Sequence, residues 1–304
     1  MRAIDLFSGI GGFSTGATMA GFEIVFAANH WPLAVRWHQE NHPRAQHLCQ
    51  DLNQADWGIL PAHDIGLGSP SCQGFSKARG QHRPHHDKMR ATMWAIVDCV
   101  EYHREEVWVV ENVPEALKWT LFPAWKEAMR LLGYSIAIHV VDAADFGVPQ
   151  HRERLFMVCT RSRKPLQLEI PRLAHVPVDS VIDWDYPKWS KVYSPKRKPA
   201  TIARIESGRR RFGDRFVAPY YGSGSGKTGR SIHRPLGTLT TRDRWAIVDG
   251  DRMRMVQKHE ALAVMGFPAS TKLPTTHKES IFMLGNAVCP PVPQHLLNEI
   301  KRRA

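Results

Sequence analysis

Cys72 sits in the stretch GSPSCQGFS (68–76), among glycines, serines and a proline, with no second cysteine close by in sequence. A thiolate presented on such a turn is a strong nucleophile, but a free cysteine is mostly protonated at neutral pH and needs nearby positive charge or a helix end to activate it. Lys77, Arg79 and Arg83 follow closely and could supply that charge. Glu111 closes the apolar run Val107 to Val110 and offers a carboxyl group able to hold or deliver a proton. Residues 150–154 read QHRER, with Arg152 and Arg154 at alternating positions before another apolar run, so that on a strand both would point to one side. Residues 7–13, FSGIGGF, form a glycine-rich turn that lets a ligand approach a helix N-terminus, whose amides attract negative groups. Each feature also has a bland reading: a loop thiol, a charged strand edge, a tight turn.

The elements that must position these groups follow from hydrophobic periodicity. Ala3 to Phe7 reads as a buried strand and Gly11 to Ala20 as a helix closed by Gly21. Strand, helix and strand follow at Phe22 to Ala28, Pro32 to Asn41 and Asp64 to Gly68. Arg90 to Arg104 reads as a helix, Val107 to Val110 as a strand buried on both faces, and Leu121 to Leu132 as a helix. Strands are expected again at Tyr134 to Val141 and Arg154 to Thr160. This rhythm predicts an α/β fold with a doubly wound, mostly parallel sheet, which binds ligands at the carboxyl edge of its strands. Cys72 and Glu111 both follow strand ends and should project from that edge.

After about Arg161 the texture changes, with prolines at 165, 171, 177, 187, 195 and 199 and a glycine cluster at 222–229. Helix is expected to return only at Val256 to Met265 and Val292 to Arg302. The expected organisation is a first domain over 1–160, completed by 285–304, and a smaller loop-rich basic domain over 161–284. The formal net charge is +12 over 304 residues, and Tyr186 to Arg254 holds 17 Lys/Arg against 5 Asp/Glu. The remainder is balanced at 24 of each sign, so the whole surplus lies in one segment and points to a nucleic-acid partner there. Five cysteines without a CxxC pair argue against a disulfide framework and for a reducing compartment. With no apolar stretch of spanning length, a soluble cytoplasmic protein with no membrane partner is expected, a monomer by default.

Taken in order, DLFSGIGG, GSPSCQGFS, ENV (111–113), QHRER and GNAV (285–288) resemble the ordered motifs of the DNA cytosine-5 methyltransferase family. The resemblance spans nearly the whole chain. It implies the class I S-adenosylmethionine-dependent methyltransferase fold with a target-recognition domain in the basic segment, and S-adenosylmethionine as cofactor. It also implies Cys72 as the nucleophile that adds to position 6 of cytosine, Glu111 as the group that holds and protonates ring nitrogen 3, and Arg154, supported by Arg152, as the ligand of the ring carbonyl. The cofactor would lie against Phe7, Ser8, Gly9, Gly11, Gly12, His30, Trp31, Asp51, Leu52, Asn286 and Ala287. The base would have to leave the duplex stack. The polar loop from Cys72 to about Lys88 would close over the DNA, and Thr238 to Arg244 would form part of the DNA-facing surface.

Two departures from the family pattern stand out: Ser71 where proline usually precedes the nucleophile, and Asn29-His30-Trp31 where an acidic residue usually meets the cofactor's ribose. Two decoys are set aside. Gly226-Lys227-Thr228 lacks the earlier glycine of a phosphate-binding loop, since that position is Tyr221. His82, His85 and His86 have no structural-zinc spacing, so no metal is expected. The reading is therefore a double-stranded DNA methyltransferase, in a restriction-modification system or carried as a solitary or phage enzyme. Two rivals remain: a cytosine-5 methyltransferase acting on transfer RNA, and a catalytically silent DNA-binding relative.

Overall fold

In a computed structural model, residues 1–71, 85–220 and 229–303 are described, with 85–90 by backbone alone. Cys72, Lys77, Arg79, His82, Arg83 and the Gly226–Thr228 decoy lie outside the described residues, as do the side chains of His85 and His86. The chain divides into two compact units, Met1–Ala143 with Glu153–Arg172 and Ala287–Ala304, and Ala144–Arg152 with Leu173–Asn286.

The first unit is built on β1 (Arg2–Leu6), α1 (Gly12–Met19), β2 (Glu23–Asn29), α2 (Pro32–Asn41), β3 (Gln46–Cys49), β4 (Ile65–Gly68), α3 (His85–His103), β5 (Val107–Asn112), α4 (Phe122–Leu131), β6 (Ser135–Asp142) and β7 (Glu153–Thr160). These strands form one seven-stranded sheet in the order β3-β2-β1-β4-β5-β7-β6. The pairs among β3, β2, β1, β4 and β5 are parallel, whereas β7 runs antiparallel to both neighbours. The doubly wound, mostly parallel sheet expected from the sequence is therefore present. β3 was not foreseen; its QHLC has too few β-branched or aromatic residues to announce a strand, and pairing with β2 makes it one. One large core joins Ile4, Leu6, Met93, Ile96, Trp108, Val110, Trp125, Leu155 and Met157, burying α3 and α4 against the sheet.

The second unit contains β8 (Ser190–Lys191), α5 (Pro199–Phe212), β9 (Arg215–Pro219), β10 (Trp245–Asp249), β11 (Arg252–Met255), α6 (Lys258–Val264) and α7 (His277–Asn286). Its four strands form an antiparallel sheet, β8-β11-β10-β9, packed on a core of Val192, Ile205, Phe216, Ala218, Ala246, Val248 and Met253. The expectation that helix returns only at Val256 to Met265 and Val292 to Arg302 is corrected here, because α5 and α7 are helical as well. Pro199 occupies the first turn of α5, where a missing N–H costs nothing, rather than breaking it. α7 carries a signal that was overlooked: in THKE (276–279) the Glu279 amide donates to Thr276 Oγ1 at 3.2 Å, and the two side chains bond at 2.6 Å. The last helix, α8 (Pro291–Arg303), belongs to the first unit and packs on α1, where Lys301 Nζ donates to the Ala20 carbonyl at 2.8 Å. Among the described residues no helix is long and apolar enough to cross a membrane.

Candidate active site

The sheet order places the sequence motifs side by side. Read along the carboxyl edge, Asp51 follows β3, His30 and Trp31 follow β2, the glycine turn follows β1, Ser69 to Ser71 follow β4, and Glu111 is the penultimate residue of β5. Because β7 is antiparallel, its first residues return to the same edge that β5 reaches with its last. Arg154 Nε thereby pairs with Glu111 Oε1 at 3.0 Å, with both side chains largely buried. Arg154 Nη1 also donates to the Glu153 carbonyl at 2.7 Å.

Arg152 does not share that position. It precedes β7, belongs to the second unit and is 2% exposed. Its guanidinium donates to the carbonyls of Leu239 and Gly285, each at 2.9 Å. Gln150 works beside it, accepting from the Leu239 amide at 2.5 Å and donating to the Val264 carbonyl at 3.3 Å. Thr238 Oγ1 donates to the His151 carbonyl at 2.9 Å. QHR thus holds the 236–239 segment in place, and the alternation inferred from QHRER fails because the strand starts only at Glu153.

At the end of β1 the chain turns through left-handed conformations at Phe7 (φ 63°), Gly9 (φ 55°) and Gly11 (φ 93°). Ser8 is held by its amide on the Ala28 carbonyl at 3.1 Å, and the Gly11 amide closes the turn on the Ser8 carbonyl at 2.9 Å. Gly12 then opens α1, and a Cβ there would stand 2.1 Å from the Val288 carbonyl oxygen, so only glycine permits this approach. Among the described residues, a Cβ on Gly9 would meet nothing nearer than the Phe7 carbonyl oxygen at 4.0 Å, so none of them fills the space beside the turn. Asn29 Oδ1 accepts from the Trp31 amide at 3.0 Å and so sets how the chain leaves β2, with His30 exposed and Trp31 half-buried. Asp51 is exposed and caps a short turn by accepting from the Asn53 amide at 3.1 Å, whereas the Leu52 side chain packs into the core. Asn286 is exposed at the end of α7, and Ala287 is buried in the first unit. An open glycine turn at a helix N-terminus, an aromatic side chain after β2 and an exposed carboxylate after β3 together suit a zwitterionic nucleoside cofactor.

Behind that turn lies a polar cluster that the sequence reading missed. Asp5, fully buried on β1, accepts from Ser14 Oγ at 2.6 Å and from the Ser14 amide at 3.1 Å. Ser14 Oγ meets His38 Nε2 at 3.0 Å, His38 Nδ1 meets His47 Nε2 at 2.8 Å, and His42 Nε2 meets Thr15 Oγ1 at 3.3 Å. Burial pushes the Asp5 carboxyl up to about 7, against the pull of its Ser14 hydrogen bonds. Burial lowers His42 to about 4 and His47 below its usual range; His38 falls well below it, through burial and then the charges of His42 and His47. The imidazoles bind protons more readily unfolded than folded, so their contribution is intact above about 6.5 and lost as pH falls through their folded values. Asp5 acts oppositely, its contribution being full below about 4 and lost as pH rises through about 7. With three imidazoles against one carboxyl, the melting temperature should fall as pH drops from about 6.5 to about 4. His42→Gln should flatten that slope and Asp5→Asn should steepen it in differential scanning fluorimetry; a wild-type slope in both would refute the assignment. The lone clue in the sequence was an aspartate inside the apolar run AIDLF.

The basic segment is less available than its charge count suggests. Arg254 is buried against Glu260, with contacts of 2.6 and 2.7 Å, and its guanidinium lies over the rings of Tyr186 and Trp189. Arg215 and Arg252 share Asp249 and cover Trp184 and Trp189, and Arg209 binds Asp251. Lys188, Lys191, Lys196, Lys198, Arg210 and Arg211 are exposed.

Residues 1–302 match the family of C-5 cytosine-specific DNA methylases. The chain belongs to that family. It is 26% identical over 311 residues to the Type II methyltransferase M.NlaX of Neisseria lactamica, covering 99% of this chain and 96% of that protein. It is 30% identical over 297 residues to the Type II methyltransferase M.HgiDI of Herpetosiphon aurantiacus, with 95% and 90% covered. The similarity to M.AgeI of Thalassovita gelatinovora, 31% over 188 residues, spans 58% of this chain and 43% of that one. A crystal structure of a DNA modification methyltransferase encoded within an E. coli prophage superposes with a TM-score of 0.72 at 21% identity, over 99% of both chains. Spodoptera frugiperda DNMT2 follows at 0.69 and 18%, again over 99% of both, and these two likenesses establish the fold. Membership makes the chain a DNA cytosine-5 methyltransferase and implies S-adenosylmethionine as its methyl donor.

Proposed function

We propose that the protein methylates carbon 5 of a cytosine flipped out of double-stranded DNA within a specific sequence, as a modification enzyme. The observation that carries this reading is the Glu111–Arg154 pair at the sheet edge that also bears the glycine turn and leads into Cys72. The first unit then supplies cofactor binding and chemistry, and the second recognises DNA. Phe7, Ser8, Gly9, Gly11 and Gly12 would receive the cofactor's charged end at the start of α1, His30 and Asp51 its ribose, and Trp31 its adenine; Leu52 and Ala287 would complete the set in the first unit. When bound, S-adenosylmethionine supplies an electrophilic methyl group.

The chain's own residues do the rest. Carbon 5 of cytosine is too poor a nucleophile to take a methyl group unaided. Attack of the Cys72 thiolate on carbon 6 breaks the ring's aromaticity and pushes electron density to carbon 5. The charge that develops on the ring is met by a proton from Glu111 at nitrogen 3 and by the Arg154 guanidinium at the ring oxygen, in a largely buried setting where such interactions are strong. Their pairing in the free protein keeps both side chains oriented before a base arrives. Once carbon 5 has taken up the methyl group, loss of its proton to a base and expulsion of Cys72 as thiolate restore the ring, and nitrogen 3 returns its proton to Glu111. Exposed lysines and arginines of the second unit would offset the cost of flipping through phosphate contacts.

The test uses DNA carrying 5-fluorocytosine, whose fluorine blocks the last elimination. With S-adenosylmethionine, a denaturant-stable protein–DNA adduct is expected, and Cys72→Ala should abolish it. No adduct on any sequence-diverse DNA would overturn the proposal, and an adduct on RNA alone would reassign the substrate to RNA.

A further inference from the structure

Pro70 and Ser71 are the last described residues before Cys72, and the peptide bond between them is gripped from both sides. Asn112, fully buried at the end of β5, donates from Nδ2 to the Pro70 carbonyl at 3.2 Å. Thr92, on α3, accepts the Ser71 amide on Oγ1 at 3.1 Å. The carbonyl and the amide belong to one peptide plane, so two separate elements, β5 and α3, fix its orientation. Asn112 is itself held, its Oδ1 accepting from the Val113 amide at 2.9 Å. One residue earlier, the Ser69 amide donates to the Leu6 carbonyl at 3.1 Å, and Ser69 Oγ donates to the Phe7 carbonyl at 3.2 Å. The chain leaving β4 is thus tied in turn to the glycine turn, to β5 and to α3.

A proline at position 71 would restrain the backbone by locking its own φ, but it would have no N–H to donate. Serine leaves φ free and keeps the amide. We infer that Thr92 is a positioning residue for the methyl-transfer reaction: by accepting the Ser71 amide, with Asn112 on the opposite end of the same peptide, it replaces a ring restraint with a hydrogen-bonded clamp on the segment that presents Cys72. The inference rests on the proposed role of Cys72 as nucleophile. The bond acts on the Ser71 peptide, so its contribution is read in the rate of attack rather than in binding. A nucleophile displaced by a fraction of an ångström to about 1 Å loses up to about a hundredfold in rate.

The test compares Thr92→Val, which keeps the β-branched shape without the acceptor, with Thr92→Ser, which keeps the acceptor. Single-turnover formation of the 5-fluorocytosine adduct should slow about ten- to a hundredfold in Thr92→Val, with KM for DNA and for S-adenosylmethionine changed less than about twofold. Thr92→Ser should recover most of the rate. A double-mutant cycle isolates the bond: in a Ser71→Pro background, which has no amide to accept, Thr92→Val should cost clearly less than it does in wild type. A wild-type rate in Thr92→Val, failure of Thr92→Ser to recover it, or an equal loss in both backgrounds would each overturn the clamp. Should Ser71→Pro not fold, the Val/Ser comparison at position 92 decides alone. If wild-type protein itself forms no adduct, it is the proposed function that fails, so the two failures are separable.

Discussion

Glu111→Gln should reduce methyl transfer by about 10²–10⁴-fold while leaving the protein folded and able to bind DNA. Glutamine keeps the length and shape of the side chain and can still accept a hydrogen bond from Arg154, but it has no proton to give to the cytosine ring. Without that proton, attack at carbon 6 must leave negative charge on the ring in a largely buried site, where unpaired charge is expensive. Arg154 would remain beside the site and partly compensate, which keeps the expected loss below that of removing the nucleophile. The measurement is single-turnover transfer from methyl-labelled S-adenosylmethionine, alongside DNA affinity by fluorescence anisotropy. Rate should collapse and affinity should hold. A variant within about tenfold of wild type would show that the ring is protonated by another group and that the Glu111–Arg154 pair is structural.

Glu260→Ala should be the most damaging single change away from the reaction centre, destabilising the second unit by about 3–5 kcal/mol. Glu260 is 1% exposed and serves four donors: both terminal nitrogens of Arg254 at 2.6 and 2.7 Å, the Gln257 amide at 2.7 Å and the Asp183 amide at 2.8 Å. Removing the carboxylate leaves the buried guanidinium of Arg254 without its counter-charge, held by the Asp183 and Met255 carbonyls alone, and frees two backbone amides that join α6 to the segment around Asp183. Urea unfolding followed by tryptophan fluorescence should detect the loss, because the ring of Trp189 packs under the guanidinium of Arg254. Pairing the change with Arg254→Met should recover part of the stability, since an absent buried pair costs less than a broken one. An unchanged unfolding midpoint in Glu260→Ala would show that water reaches this pair.

Much of this is legible in the sequence alone. The alternation of apolar runs with helical patterns located all the parallel strands except β3 to within about two residues. It also put Glu111 and the residues before Cys72 at neighbouring strand ends. The second unit was harder, since Pro199 marks the start of a helix as readily as the end of one, and the strands of its sheet are as short as Ser190–Lys191. Its charge surplus was legible as a sum but not as a surface: Arg254, Arg215, Arg252 and Arg209 spend their charge on carboxylates and aromatic rings of their own unit.

By itself, then, the sequence determined the α/β class, the family and the set of groups at the carboxyl edge, because these depend on local periodicity and on motif chemistry. Which groups meet was decided only by tertiary structure. Arg154 reaches Glu111 because β7 enters the sheet antiparallel beside β5, and strand order is settled by contacts between remote residues. Arg152, two positions away, is drawn elsewhere by the Leu239 and Gly285 carbonyls, 87 and 133 residues along the chain. Ser71, a departure from family pattern on paper, has its amide taken up by Thr92, a partner visible only once α3 is packed beside the end of β4.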